Sequence, residues 1–329
     1  MKAVSLFSGG LDSQLAVRVI QEQGISITGV CFSSPFFRPN SKTFASAEKL
    51  QIKLEVLEVD DEYYSSVIKN PVYGYGKHLN PCIDCHAYMF RKAGQFMEQI
   101  GASFLITGEV LGQRPMSQNK SALAAVDKLS GYKGLIVRPL SARLLPETIP
   151  ETNGWIDRSR LLDISGRSRA RQMELAQKYN ITDYPSPAGG CLLTDENFSR
   201  RMKKLMSYTG LDAATDYSIL RVGRHFMLNN HYLLVIGRKH AENEILAKIA
   251  TDNDFLFKVM DFPGPLGLIR PLKGAELPPD CKFAAQIVAR YSDAKNSPAA
   301  KVRITQKATA TDTILEVAPL QPEMVPEPI

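Results

Sequence analysis

No stretch of the 329 residues is apolar for long enough to span a bilayer, and the N-terminus has no basic segment leading into an apolar h-region. A membrane span and a secretory leader are therefore not expected, and the chain reads as cytoplasmic. Cysteine is sparse, with five residues at 31, 82, 85, 191 and 281. In a reducing compartment these are core, catalytic or metal residues rather than disulfides. Charge of neither sign dominates: 40 Lys and Arg face 34 Asp and Glu, for a net charge of +6. That mild excess is compatible with a nucleic-acid partner without establishing one. The length is more than one core needs, so two domains and a tail are expected. We place them at residues 1–212, 213–307 and 308–329, with the tail forming one edge strand and a partly disordered end.

The chain is organised around residues 1–13, MKAVSLFSGGLDS. Ala3 to Phe7 form the apolar run of a buried strand, and an amphipathic stretch follows from Gln14. A strand that turns through two glycines into a helix gathers backbone N–H groups at the positive end of the helix dipole, where an anion binds. Gly9 and Gly10 let the backbone approach an oxyanion, and Ser8 and Ser13 add hydroxyls. The bland alternative is a turn with Asp12 as helix cap. The loop lacks the Lys-Ser/Thr of a Walker A motif and is not GxGxxG. SGGLDS resembles the PP-loop of the ATP pyrophosphatases. The resemblance implies Mg-ATP bound on Ser8, Gly9, Gly10, Asp12 and Ser13, with Asp12 holding Mg2+ or orienting a phosphate.

Strand-like runs then alternate with helical stretches to about residue 140, which predicts an α/β fold: a doubly wound parallel sheet, followed by a smaller α+β domain. Cys31 falls in a β-branched run and reads as a core thiol. Residues 60–80, rich in Tyr and Gly, are expected to be a mobile active-site loop. Residues 108–118, GEVLGQRPMSQ, and residues 137–140, VRPL, extend the likeness. With SGGLDS they resemble the PP-loop enzymes of the ThiI type that form thiouridine. That resemblance implies that Gly108, Glu109, Gly112, Gln113, Ser117 and Gln118 help shape an adenylate pocket.

Residues 80–90 read NPCIDCHAYMF, and Cys191 follows far downstream in YPSPAGGCLLT. A Cys-x-x-Cys pair at a helix start favours thiolate through the dipole. Four readings stand. Cys82, Cys85 and Cys191 can hold a [4Fe–4S] cluster with one iron open, and this is the reading taken forward. Cys85 and Cys191 can instead exchange a persulfide; the spacing resembles the catalytic-cysteine segment of the MnmA-type tRNA 2-thiouridylases. Zinc with His86 or water is the third. The fourth is c-type haem, which the CxxCH spacing matches but which needs an exported chain.

Residues 158–171 carry five arginines, and Arg200, Arg201, Lys203 and Lys204 form a second basic cluster. Each reads as a solvated face or, with the other, as a phosphate track. From about residue 216 the pattern changes, with strands expected at residues 217–222, 232–237, 255–260 and 301–306. Here Val222-Gly223-Arg224, Arg238-Lys239, Phe257-Lys258-Val259, Pro263-Gly264-Pro265 and residues 288–292 (VARYS) resemble the RNA-binding domain of the NFACT proteins. Together the resemblances imply an ATP-dependent transferase that thiolates a uridine of tRNA or another structured RNA, releasing AMP and pyrophosphate. Its sulfur would come from sulfide or a persulfide carrier. The other classes to set against this are an amidating ATP pyrophosphatase with a small-molecule substrate and a non-catalytic RNA-binding protein.

Overall fold

The computed structural model describes residues 1–184, 190–210, 217–272, 275, 279–309 and 311–329. It divides into two compact units, Met1–Thr194 and Asp195–Ile329.

The first unit alternates strand and helix. Its elements are β1 (Lys2–Leu6), α1 (Leu11–Gln21), β2 (Ser26–Ser33), α2 (Ser41–Lys49) and β3 (Lys53–Glu58), then α3 (Cys82–Gln99), β4 (Phe104–Thr107), α4 (Lys120–Ser130) and β5 (Ile136–Val137). Two short helices, α5 (Ile149–Thr152) and α6 (Ala170–Lys178), complete it. The sheet order is β3-β2-β1-β4-β5, all parallel. The chain therefore winds outward from β1 in one direction and resumes at β4 on its other side. That reversal opens a crevice at the carboxyl ends of β1 and β4, where ligands of such sheets bind. Burial explains the patterning: Ala3, Val4, Phe104, Leu105 and Ile106 are fully buried, as strands covered on both faces require. Leu15, Ala16, Val19 and Ile20 turn one side of α1 into the same core.

The expected loop at residues 60–80 is partly something else. Tyr63–Lys69 is a π-helical turn, with Tyr63, Tyr64, Val67 and Ile68 buried. Tyr63 packs edge-on against Tyr64 and Tyr88, so the aromatic residues that read as a mobile loop serve instead as packing.

The second unit contains α7 (Glu196–Thr209), β6 (Arg224–Leu228), β7 (Tyr232–Ile236), α8 (His240–Ile249), β8 (Phe255–Val259), β9 (Leu266–Pro271), α9 (Cys281–Arg290), β10 (Ala300–Gln306) and β11 (Thr311–Val317). Its sheet is antiparallel, in the order β11-β10-β8-β9-β7-β6. Ala284, Ala285, Ile287, Val288 and Ala289 bury one side of α9. Gly267 permits this: a Cβ there would sit 2.5 Å from Val288 Cγ2. Residues 217–221, expected as strand, form a 3-10 turn, and the ladder begins only after Gly223, whose φ is +85°. The internal strand β9 went unread because glycine and proline punctuate its sequence. The tail supplies edge strand β11 as expected, but its end is tied down. Val317 and Leu320 join the core, and buried Ile329 donates its N–H to the His225 carbonyl at 2.9 Å.

Candidate active site

The loop between β1 and α1 is held open by its own backbone. Gly9 has φ +73°, and a Cβ on it would lie 2.8 Å from Thr43 Cα, so only glycine fits. Gly10 is the N-cap of α1, and no side chain caps that helix start. Ser13 Oγ donates to the Gly10 carbonyl at 2.8 Å, and the Gly10 N–H donates to Ser8 Oγ at 3.3 Å. Asp12 stands in the first turn, accepting from Gln113 Nε2 on Oδ2 at 3.0 Å. Its Oδ1 is buried without a partner. A carboxylate oxygen orphaned beside an uncapped helix start lacks a donor or a cation, which fits a phosphate-bound Mg2+ contacting Asp12.

The turn after β4 is pressed onto this loop. A Cβ on Gly108 would fall 2.5 Å from both the Asp12 carbonyl carbon and the Ser13 nitrogen. Beyond it lies a feature that sequence reasoning missed. Glu109, 5% exposed, binds His86 Nδ1 through Oε1 at 2.8 Å and Arg138 Nε through Oε2 at 3.0 Å. Arg138 in turn grips both oxygens of Asp127, at 3.1 and 2.8 Å. Burial pushes the Glu109 carboxyl up, but the charge of Arg138 and the bond to His86 outweigh it and hold Glu109 ionised. A signal for this was present, since Glu109 and Arg138 are charged residues directly beyond the adjacent apolar strands β4 and β5. Of the other residues in that stretch, Ser117 and Gln118 are buried, and the Gly112 N–H donates to the Gln118 carbonyl at 2.7 Å.

Cys82 and Cys85 open α3, and the segment carrying Cys191 returns beside them: the Leu79 N–H donates to the Leu193 carbonyl at 3.3 Å. Burial raises the Cys85 thiol, and the nearby charges of Cys191 and Cys82 add to that effect. Cys191 is pushed up to about 11, first by burial, with Cys82 acting against its ionisation and Arg114 for it. The expected helix-start thiolate is thus reversed at Cys85, because desolvation beneath Tyr63 overrides the dipole. Tyr63 Oη and Cys85 Sγ share a hydrogen at 3.5 Å, and Asn80 Nδ2 donates to Cys82 Sγ at 3.2 Å. The donor chemistry suits iron and sulfur. Among the described residues no group of three or more His, Cys, Asp or Glu is set to hold a metal ion, and two of the thiols are turned to other partners. Residues 185–189, in the segment that leads to Cys191, lie outside the described residues.

The basic segments are mostly engaged locally. Arg158 pairs with Glu151, Arg143 and Arg171 share Asp163, and Arg160 donates to the Glu22 carbonyl. In the second unit Arg201 donates to the carbonyl of Leu220 at 2.9 Å. Cys31 is a buried core thiol near the Glu55 carbonyl, as read. Among the described residues no helix is long and apolar enough to cross a membrane.

Residues 1–129 match the family model described as the tRNA methyl transferase HUP domain, and residues 223–327 match the NFACT protein RNA binding domain. A "Probable tRNA sulfurtransferase" of Agathobacter rectalis is 29% identical over 174 residues, half of this chain and 39% of that protein. A tRNA-specific 2-thiouridylase MnmA of Fusobacterium nucleatum is 34% identical over 104 residues, 31% of this chain and 28% of that protein. This chain thus spans well under half the length of either relative. Among solved structures, a 4-thiouridine synthetase in complex with RNA and bound ATP aligns with 67% of this chain and 52% of its own, at 21% identity and a TM-score of 0.38. Both resemblances read from the sequence, to the PP-loop thiouridine synthases and to the NFACT RNA-binding domain, are borne out, each on its own part of the chain.

Proposed function

We propose that the chain is an ATP-dependent sulfurtransferase that thiolates a uridine of tRNA. The observation that carries this reading is the closeness of the glycine loop to the thiols. Gly108 abuts the Asp12–Ser13 peptide, while the next residue, Glu109, holds His86, the neighbour of Cys85. The two matched domain models and the named relatives support the same reading. ATP binds with its pyrophosphate at the start of α1, and Asp12, whose Oδ1 has no other partner, would hold the Mg2+ that offsets the phosphate charge. The uridine carbonyl oxygen attacks the α-phosphate, pyrophosphate leaves, and the base becomes an adenylate with AMP as a good leaving group. A terminal sulfur carried on Cys85 or Cys191 then attacks that carbon, and AMP departs with the oxygen. The second cysteine attacks the sulfur–sulfur bond, leaving the thiocarbonyl on the base and a disulfide that a thiol reductant reopens. A persulfide carrier restores the terminal sulfur by giving up its outer sulfur to the reopened thiolate and leaving as its own thiol, and the cytoplasm is the compartment that keeps these thiols reduced.

Cys82, Cys85 and Cys191 are the side chains a [4Fe–4S] cluster would take, provided that Cys82 and Cys85 leave Asn80 and Tyr63. An anaerobic visible spectrum decides between the two: colourless, iron-free protein that thiolates RNA removes the cluster. The reading as a whole is tested by thionucleoside content in tRNA from a strain lacking the gene, where loss of one thiolated base is expected and an unchanged profile would sink it. Gly108→Ala forces backbone against backbone, a distortion of roughly 1–3 kcal/mol, so ATP should bind about tenfold more weakly or worse. ATP affinity within twofold of the parent would remove the loop from the site.

A further inference from the structure

The second unit contains a cavity of about 430 Å³ that the thiolation chemistry does not use. It is lined by residues from four separated segments, among them Arg224 on β6, Arg238 and Lys239 before α8, Gly264, and Tyr291 and Ser292 after α9. We propose that this cavity binds one unstacked nucleotide, with its base on the Arg224–Tyr291 stack and its phosphate at Arg238 and Lys239. This rests on the reading of the chain as an RNA-modifying protein.

The platform is already assembled. The Arg224 guanidinium lies over the Tyr291 ring, 4.9 Å from its centroid, and both line the cavity. A planar guanidinium with one face covered by an aromatic ring offers its other face to a base, a sequence-tolerant contact. The phosphate end is equally defined. Glu242 engages Nε and Nη2 of Arg238, which fixes the guanidinium and, among the described residues, leaves Nη1 without a bond. The Lys239 side chain is exposed and, among the described residues, has no hydrogen bond or ion pair. Three cations, two of them held in place, thus stand against Asp293 in the lining and Glu242 behind it. Ser292 is committed to the walls: its Oγ donates to the Ala289 carbonyl and accepts from the Ala294 N–H. Gly264 lets the walls close, since a Cβ there would lie 2.7 Å from Ser292 Cβ. The volume is in the range of small-molecule pockets, roughly 300–1,000 Å³, and suits one nucleotide rather than a duplex. Such a site takes a base only where it is splayed from its stack, in a loop or at an end.

Anisotropy with a labelled single-stranded uridine-rich hexanucleotide, read on the full chain, tests this. Uridine 5′-monophosphate and inorganic phosphate serve as competitors, and uridine avoids confusion with the ATP loop. Arg224→Gln should weaken the RNA about tenfold, in line with roughly 1–3 kcal/mol for one stacked base, and Lys239→Gln should weaken it several-fold with no effect on folding. Lys301→Gln removes an exposed charge of the same unit outside the cavity and should change binding less than twofold. Equal losses from Arg224→Gln and Lys301→Gln would overturn the proposal, as would inorganic phosphate competing as well as the mononucleotide. If the mononucleotide binds with Arg224 dependence while RNA does not bind, the pocket stands as a free-nucleotide site and the RNA reading falls. Binding of neither overturns the pocket.

Discussion

Arg138 in the first unit and Arg270 in the second are both buried beside carboxylates, yet the two networks end differently. Arg270 closes on Asp254, which is fully buried, and donates to the carbonyl of Ile249 at 2.8 Å. These contacts pin β9 to the end of α8 and the turn after it. Arg138 is as deeply placed, but its chain passes through Glu109 to His86, which is 28% exposed at the thiol pocket. A buried charge network is costly to desolvate, and one whose contacts lie inside the unit contributes to its shape. One that ends on a partly exposed imidazole also delivers fixed charge to the edge of the site.

The largest expected effect is on the second network. Asp254→Ala removes the fully buried carboxylate that Arg270 Nε and Nη2 bind and should cost about 3–5 kcal/mol in denaturant unfolding of the second unit. A loss below about 1 kcal/mol would show that water replaces the carboxylate there. Glu109→Gln should cost less, because Arg138 keeps both oxygens of Asp127, but it should lower thiolation where Asp254→Ala, assayed while still folded, does not. Equal activity in the two variants would erase the distinction drawn between the networks.

The next effect sharpens the contrast through pH. His225 is buried with its Nε2 on the Ile219 carbonyl, and burial first, then nearby Arg201 and Arg238, depress its pKa to about 4. Because the unfolded chain takes up that proton nearer 6.5, stability from this group is complete above pH 6.5 and falls as pH drops toward 4. The loss should be about 2 kcal/mol by pH 5. In His225→Gln that part of the acid slope should vanish; a slope unchanged in the variant would place it on other groups.

The smallest effect concerns Tyr63. Removing its hydroxyl in Tyr63→Phe should cost under about 1 kcal/mol and, by withdrawing a bond that favours the thiolate, slow alkylation of Cys85 further. Faster alkylation would mean that Tyr63 shields the thiol rather than supports its ionisation.

The fold of the first unit was legible because strand burial and helix amphipathicity are local patterns. Ala3–Phe7 and the Gly9-Gly10 turn carry their conformations in their own sequence. The glycine loop was readable for the same reason. The Glu109–His86–Arg138 relay was not, since it joins three residues from α3 and the ends of β4 and β5, and only strand order makes them neighbours. The thiols illustrate the converse. Cys82 and Cys85 suit a reactive pair by position, but whether a helix-start cysteine ionises depends on what covers it, and Tyr63 comes from a segment that reads as loop. Strand β9 hid because its glycine, needed for the close approach of α9, weakens the signal that identifies a strand.

Gln14 carries a consequence for the glycine loop. Its single side-chain nitrogen donates to the Gly9 carbonyl at 2.8 Å and to the Asp183 carbonyl at 3.2 Å, and Asp183 also pairs with Lys42 of α2. One amide thus ties the glycine loop to the chain at Asp183, a separation of 169 residues in sequence. Anything that displaces the glycine loop therefore strains the Gln14 link to Asp183 as well.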